Sequence, residues 1–200
     1  MDTNALFNIG YGLYVLTANE GTKDNGCIIN TVMQVTSNPL QVSITVNKQN
    51  YTTAMIQRTK KFNVSMLTEK TDFETFKHFG YQSGATCNKF ENYNDTKRSP
   101  NGVLYLTKHT NAFLSCYVKQ ELDLGSHILF IGQLVAAEVL SEEPSVSYAY
   151  YQKNIKPKPQ ETKKSGWRCK ICGYIYEGET LPDDYICPLC KHGAIDFEKI

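Results

Sequence analysis

Cys169, Cys172, Cys187 and Cys190 form two C-x-x-C pairs with fourteen residues between them, in a chain of 200 residues. Four cysteines at this spacing ask for a metal. Thiolates are soft ligands, and four of them favour a tetrahedral ion, either zinc or a lone iron. Spacing does not choose between the two. His192 lies close by, but four sulfurs already complete a tetrahedron. The other three cysteines, Cys27, Cys87 and Cys116, are scattered. They read as small, partly buried apolar residues rather than redox groups.

A second constellation lies in the segment Asn47-Lys48-Gln49-Asn50-Tyr51-Thr52. A strand is expected to end at Asn47 and a helix to open at Tyr51. A helix N-terminus offers unpaired N–H groups and the positive end of a dipole, to which Lys48 and the Asn and Thr side chains would add charge and donors. That is a phosphate site in outline. Asn before Thr is equally an ordinary helix cap, and the residues by themselves leave both readings open.

The remaining elements must position these groups. Segments such as "LQVSITVN", with Val42, Ile44 and Val46 alternating, "KKFNVSML", "AFLSCYVKQEL" and "HILFIGQLVAAEVL" are short, β-branched and aromatic, as strands are. "GLYVLTAN" and "CIINTVMQVTS" read as a first pair separated by "EGTKDNG". Two helices interrupt, one over "YTTAMIQRT" and one over "TDFETFKHFG". In the second, Thr71 and Glu74 have capping-box spacing and Phe73, Phe76 and Phe79 recur every third residue. Many short strands with few helices predict a mainly β barrel or sandwich. After Tyr151 the composition turns Lys- and Pro-rich, which predicts an extended linker over 153–165. The expected units are a β domain over 1–152 and a small metal domain over 166–200.

The net charge of +1 gives no overall electrostatic footprint for nucleic acid. No apolar run approaches a membrane span, and the N-terminal residues lack the pattern of a signal peptide. A cytoplasmic, reducing compartment is the expectation, where paired cysteines bind metals more often than they form disulfides.

The metal segment resembles a rubredoxin. The resemblance is carried by Trp167 two residues before Cys169, by "CGYIY" after the first pair, by "LPDDYICPLC" into the second, and by Phe197 in "DFE". It implies one iron in four thiolates that passes one electron at a time. Two features depart from it. The connection between the pairs is short, and Lys191 follows Cys190 where a rubredoxin has Gly, in a turn that favours φ > 0. A structural zinc ribbon shares the spacing and remains the alternative.

Residues 3–150 resemble the flavin reductase-like family, on the order and spacing of "CIINTVMQVTSNPLQVSITVNKQNYT", "FNVSML", "FKHFGYQSG" and "SHILFIGQLVAAEVL". That resemblance implies an FMN-binding split β-barrel and a homodimer. It implies that Asn30, Thr31, Gln34 and Val35 run along the isoalloxazine ring, with Gln34 as a donor at its N5/O4 edge. It further implies Asn47, Lys48, Asn50, Tyr51 and Thr52 at the phosphate, Phe79 and Gly80 at the flavin with His78 beside them, and His127 on the nicotinamide side. Together the two resemblances make the architecture of a high-molecular-weight rubredoxin. This implies hydride transfer from NAD(P)H to FMN, and single electrons through the iron to a partner such as a flavodiiron protein. The rival readings are an electron carrier reduced by a separate reductase, and a zinc-ribbon binding module on a β-barrel.

Overall fold

The computed structural model describes residues 1–157 and 166–200. After a 3-10 turn at Thr3–Asn8 come β1 (Tyr14–Glu20), β2 (Lys23–Ile29), β3 (Val32–Ser37), β4 (Leu40–Asn47), α1 (Tyr51–Thr59), β5 (Lys61–Leu67) and α2 (Phe73–Gly80). The short pair β6 (Thr96–Arg98) and β7 (Leu104–Leu106) follows, then the long strands β8 (Thr110–Asp123) and β9 (His127–Val139). Seven strands form one antiparallel sheet in the order β2-β1-β5-β8-β9-β4-β3. Bulges at Val135 in β9, opposite Ser115/Cys116, and at Lys119 in β8, between Val118 and Gln120, bend the sheet, as bulges do.

The concave face holds the main core. Leu16, Ile44, Val46, Phe62, Val64 and Phe130 meet there, and α1 closes it with Met55 and Ile56. A second core lies where α2 packs Phe76 and Phe79 against Leu13, Val15, Leu67 and Tyr151. The mainly β expectation holds, and so does the helix over "YTTAMIQRT".

Two local expectations change. The "EGTKDNG" segment is mostly strand, because β2 begins at Lys23. Its polar side chains find partners on β6 and α1: Asp24 accepts both Arg98 Nη atoms at 3.0 and 2.7 Å, and Asn25 Nδ2, though not its Oδ1, is paired, donating to Thr52 Oγ1 at 2.9 Å. The run after it breaks at Asn30-Thr31 into two strands, β2 and β3. In α2 the cap is Asp72, which accepts from the Thr75 N–H at 2.9 Å. Thr71 is buried and donates to the His109 carbonyl instead.

Of the expected linker, positions 158–165 lie outside the described residues. The chain before them forms a π-helical turn, Tyr151–Ile155, with Ile155 packed on the second core. The metal domain is a three-stranded antiparallel sheet, β11-β10-β12, of β10 (Trp167–Cys169), β11 (Ile175–Tyr176) and β12 (Phe197–Lys199).

Candidate flavin and metal sites

The four cysteine sulfurs lie within 4.8 Å of one another. Cys169 and Cys190 are 3.5 Å apart, as are Cys172 and Cys187. An ion bonded to four tetrahedral sulfurs at about 2.3 Å separates them by about 3.8 Å, so a slight opening of the cluster admits one. The two halves repeat each other. Gly173 N–H donates to Cys169 O at 2.8 Å and Lys191 N–H to Cys187 O at 3.0 Å. Cys169 N–H donates to Tyr174 O and Cys187 N–H to His192 O, both at 2.8 Å. Trp167, Tyr174, Tyr176, Tyr185 and Phe197 pack around Cys169 and Cys187, which are fully buried.

Electrostatics also ask for a cation. Hydrogen bonds from the Cys172 and Cys190 thiols hold the Cys169 thiolate well below the usual range. Its hydrogen bond with Cys169 in turn pushes Cys172 up to about 12, and contact with Cys169 and Cys172 pushes Cys190 up as well. The Cys169 thiolate forms readily, and Cys172 and Cys190 resist. Four together need a metal's charge, so the donor set fits the ion. Cys27 and Cys116 are inert by comparison: burial raises both thiols, Cys116 to about 12.

Against this cluster stands a cavity of about 480 Å³, within the size of a cofactor site. Asn30, Thr45, Asn47, Asn50, Gly80, Tyr81, His127 and Tyr148 line it from the β domain. Cys172, Leu189, Cys190, Lys191 and His192 line it from the metal domain. An adjoining hollow of about 320 Å³ shares Asn50, Gly80, Tyr81, Leu189 and Lys191, and adds Asn25, Tyr51, Thr52, Ser83, Gly84, Thr86 and Lys89.

That hollow has the chemistry of an anion pocket. Asn50 caps α1 through its backbone and leaves its side chain uncommitted to the cap. Thr52 is buried beneath the first turn. Lys89 is 3% exposed and donates from Nζ to the Gly26 and Phe79 carbonyls, both at 2.8 Å. Its charge is therefore held at the hollow. Asn25 Oδ1 is buried without a partner, and Gly84 approaches so closely that a Cβ there would sit 2.0 Å from it. A buried acceptor and a buried ammonium beside helix N–H groups fit a ligand that carries both donors and an anionic end, as FMN does.

Asn30, Asn47, Asn50, Tyr51, Thr52, Gly80 and His127 are thus brought together around these two spaces. Thr31, Gln34, Val35, Lys48 and Phe79 are not among the lining residues. Thr31 Oγ1 donates to Thr45 O at 2.7 Å, Val35 is exposed on β3, and Phe79 is buried in the second core. Gln34 Nε2 reaches Thr36 O at 3.5 Å. Lys48 Nζ pairs with Asp123 at 2.6 Å on the surface. His78 Nε2 sits 2.6 Å from the Lys89 carbonyl, which braces the loop that carries Lys89. Lys89 and Tyr81 are the residues that sequence reasoning missed. His127, at the start of β9, has its pKa lowered by burial and by the neighbouring His192.

Residues 6–158 match the family described as the flavin reductase like domain, and residues 167–198 the rubredoxin-like domain of rubrerythrin. The chain belongs to the flavin reductase-like family, in its rubredoxin-fused form. It is 35% identical to the high molecular weight rubredoxin of Moorella thermoacetica over 230 aligned positions that cover 100% of both chains. It is 36% identical to the ferric-chelate reductase (NAD(P)H) of Archaeoglobus fulgidus, covering 81% of this chain and 95% of that one. Its fold is similar to flavoredoxin from Methanosarcina acetivorans, with a TM-score of 0.60 and 22% identity over 66% of this chain and 70% of that one. The family match and the likeness to a reductase make this rubredoxin-fused flavin reductase-like chain an oxidoreductase.

Proposed function

We propose that the chain takes a hydride from NADH or NADPH onto FMN in the 480 Å³ cavity and passes the electrons singly to an iron held by Cys169, Cys172, Cys187 and Cys190. The observation that carries this reading is the shared lining. Cys172 and Cys190 face the same space as Asn30, Asn47, Asn50 and His127. A flavin there lies against the metal's own ligands, within one chain. The flavin supplies two-electron acceptance with one-electron release, and the iron supplies one-electron storage.

The protein's own residues supply the rest. Lys89, the α1 N-terminus and Thr52 hold the phosphate end. Asn30, Asn47 and Asn50 offer amides to the ring system, and His127 lies on the nicotinamide side. Tyr81 and Tyr151, whose hydroxyls are 3.3 Å apart, line the cavity beside the metal knuckles. Their pKa values are raised by burial, so both stay neutral and keep water out.

Exposed apolar side chains, Met33 and Val35 on β3, Leu122 and Leu124 at and just beyond the end of β8, and Val135 and Val139 in the C-terminal half of β9, support a homodimer, which would cover them. From Gly166 the metal domain carries six Asp/Glu and four Lys/Arg, an acidic surface suited to a basic redox partner such as a flavodiiron protein. No helix among the described residues is long and apolar enough to cross a membrane. The deciding experiment mixes the iron- and FMN-loaded protein with NADH anaerobically in a stopped-flow instrument. Flavin bleaching followed by iron bleaching is expected. A flavin that NADH leaves oxidised would instead mark the protein as a carrier served by a separate reductase.

A further inference from the structure

Lys156 joins the two domains. It directly follows the π-helical turn, and its N–H donates to the Tyr151 carbonyl at 2.8 Å. Tyr151 is buried in the second core with its ring 4.5 Å from that of Phe76. The base of the Lys156 side chain is therefore fixed to the β domain. Its tip reaches the other domain: Nζ donates to the Ile171 carbonyl at 2.6 Å, inside the first cysteine pair. Desolvation works against this ammonium, while the charges of Cys172, Cys169 and Cys190 work for it. One carbonyl is poor compensation for a half-buried ammonium. The negative metal cluster completes it.

We propose that Lys156 is a positioning residue that latches the metal domain over the flavin cavity and raises the electron affinity of the docked iron. The inference builds on the proposed function. Four thiolates around ferric iron carry a net charge of −1, and around ferrous iron −2. A fixed positive charge beside them favours the more negative, reduced state, and the net charge at such a site is a main determinant of its potential. The charge belongs to the β domain, so it acts only while the knuckle is docked. One electron then moves from reduced flavin to ferric iron with the latch closed. The partner takes the electron and returns the iron to ferric. Two such turns consume the two electrons of each hydride, and the nicotinamide is the reductant throughout.

The test is a spectroelectrochemical titration of the iron band in the full chain loaded with iron and FMN. Lys156→Gln should lower the iron potential by the equivalent of roughly tenfold in electron affinity, about 59 mV for one electron. Lys156→Arg keeps the charge and should leave the potential close to that of the unmodified protein. An unchanged potential in Lys156→Gln, with iron bound and the flavin still reduced by NADH, overturns the latch and leaves the proposed function standing. An equal drop in Lys156→Gln and Lys156→Arg also overturns it, because charge would not be the cause. A chain whose cysteines take no iron overturns both.

Discussion

Lys191 and Gly173 occupy the same place in the two halves of the metal site, with φ of 63° and 80°. Each follows the second cysteine of its pair and donates its N–H back to the carbonyl of the first. The left-handed conformation suits Gly173 and strains Lys191 by roughly 1 kcal/mol. A Cβ on Gly173 would meet nothing within 4 Å, so any penalty there is backbone strain alone.

Lys191→Gly should therefore stabilise the metal domain by about 1 kcal/mol, and Gly173→Ala should destabilise it by a similar amount. Loss of the iron chromophore during guanidinium titration reads both. Equal midpoints for the two variants would mean that the symmetry of the halves is not energetic.

Replacement of the cysteines separates the two sites. Cys172→Ser and Cys190→Ser should each strip or weaken the iron, because a hydroxyl is a poor ligand for a soft tetrahedral ion. FMN content should stay near that of the unmodified protein, since the buried floor of the flavin pocket, with Asn25, Thr52 and Lys89, belongs to the β domain. Metal analysis and flavin absorbance on the same sample check this, and complete loss of flavin from either variant would refute the division.

Lys89 should dominate phosphate binding. Lys89→Met should weaken FMN by about 1.5–3 kcal/mol, the worth of a charge-assisted hydrogen bond, and leave riboflavin nearly untouched. Lys48→Ala should change little, because Lys48 is already paired with Asp123 in solvent. The pH dependence follows from burial, which lowers the Lys89 pKa. The ammonium loses its proton at a pH below the ordinary lysine value of about 10.4. FMN affinity should then fall as pH rises through that depressed value, while riboflavin affinity stays level. The same shift means that the folded chain gains stability as pH climbs from the folded pKa toward the unfolded one, because a desolvated charge is relieved. Fluorescence titrations with the two flavins test this, and parallel pH curves would place the phosphate elsewhere.

The metal site was legible because its information is local. Ligand spacing, flanking aromatics and the odd Lys191 all lie within 35 residues, and the structure clusters the four sulfurs, packs the aromatics around them and gives Lys191 a positive φ. The strands were legible from alternation, as in Val42, Ile44 and Val46. Lys89 was not, because it lies in a loop with no periodicity and its burial depends on carbonyls 63 and 10 residues away. Lys48 looked like a phosphate ligand for the converse reason. The carboxylate it pairs with in the structure, Asp123, is 75 residues distant, and nothing in the local segment announces it. The roofing of the cavity by Leu189 to His192 is equally long-range, as is the contact from Lys156 to Ile171.

Removal of the metal domain tests that roof. The cut belongs after Pro157 rather than after Tyr151, because Ile155 packs on the second core and the Lys156 N–H closes the π-helical turn. Residues 1–157 retain every β-domain residue that lines the two spaces. They lose Ile171, Cys172 and Leu189 to His192, which line the same cavity as His127. On the proposed reading, a nicotinamide that enters beside His127 competes with the docked knuckle for the same volume. Flavin reduction by NADH should therefore be faster in the truncated protein at limiting NADH, with the limiting rate at saturation little changed. A small artificial acceptor should still discharge the flavin, while transfer to the protein partner should fail. Adding the metal domain in trans should restore that transfer only at high concentration, because the covalent link supplies a high effective concentration that free domains lack. Stopped-flow traces at several NADH concentrations give both rates. A truncated protein that NADH reduces more slowly would show that the knuckle helps to bind the nicotinamide, and the competition argued here would be wrong.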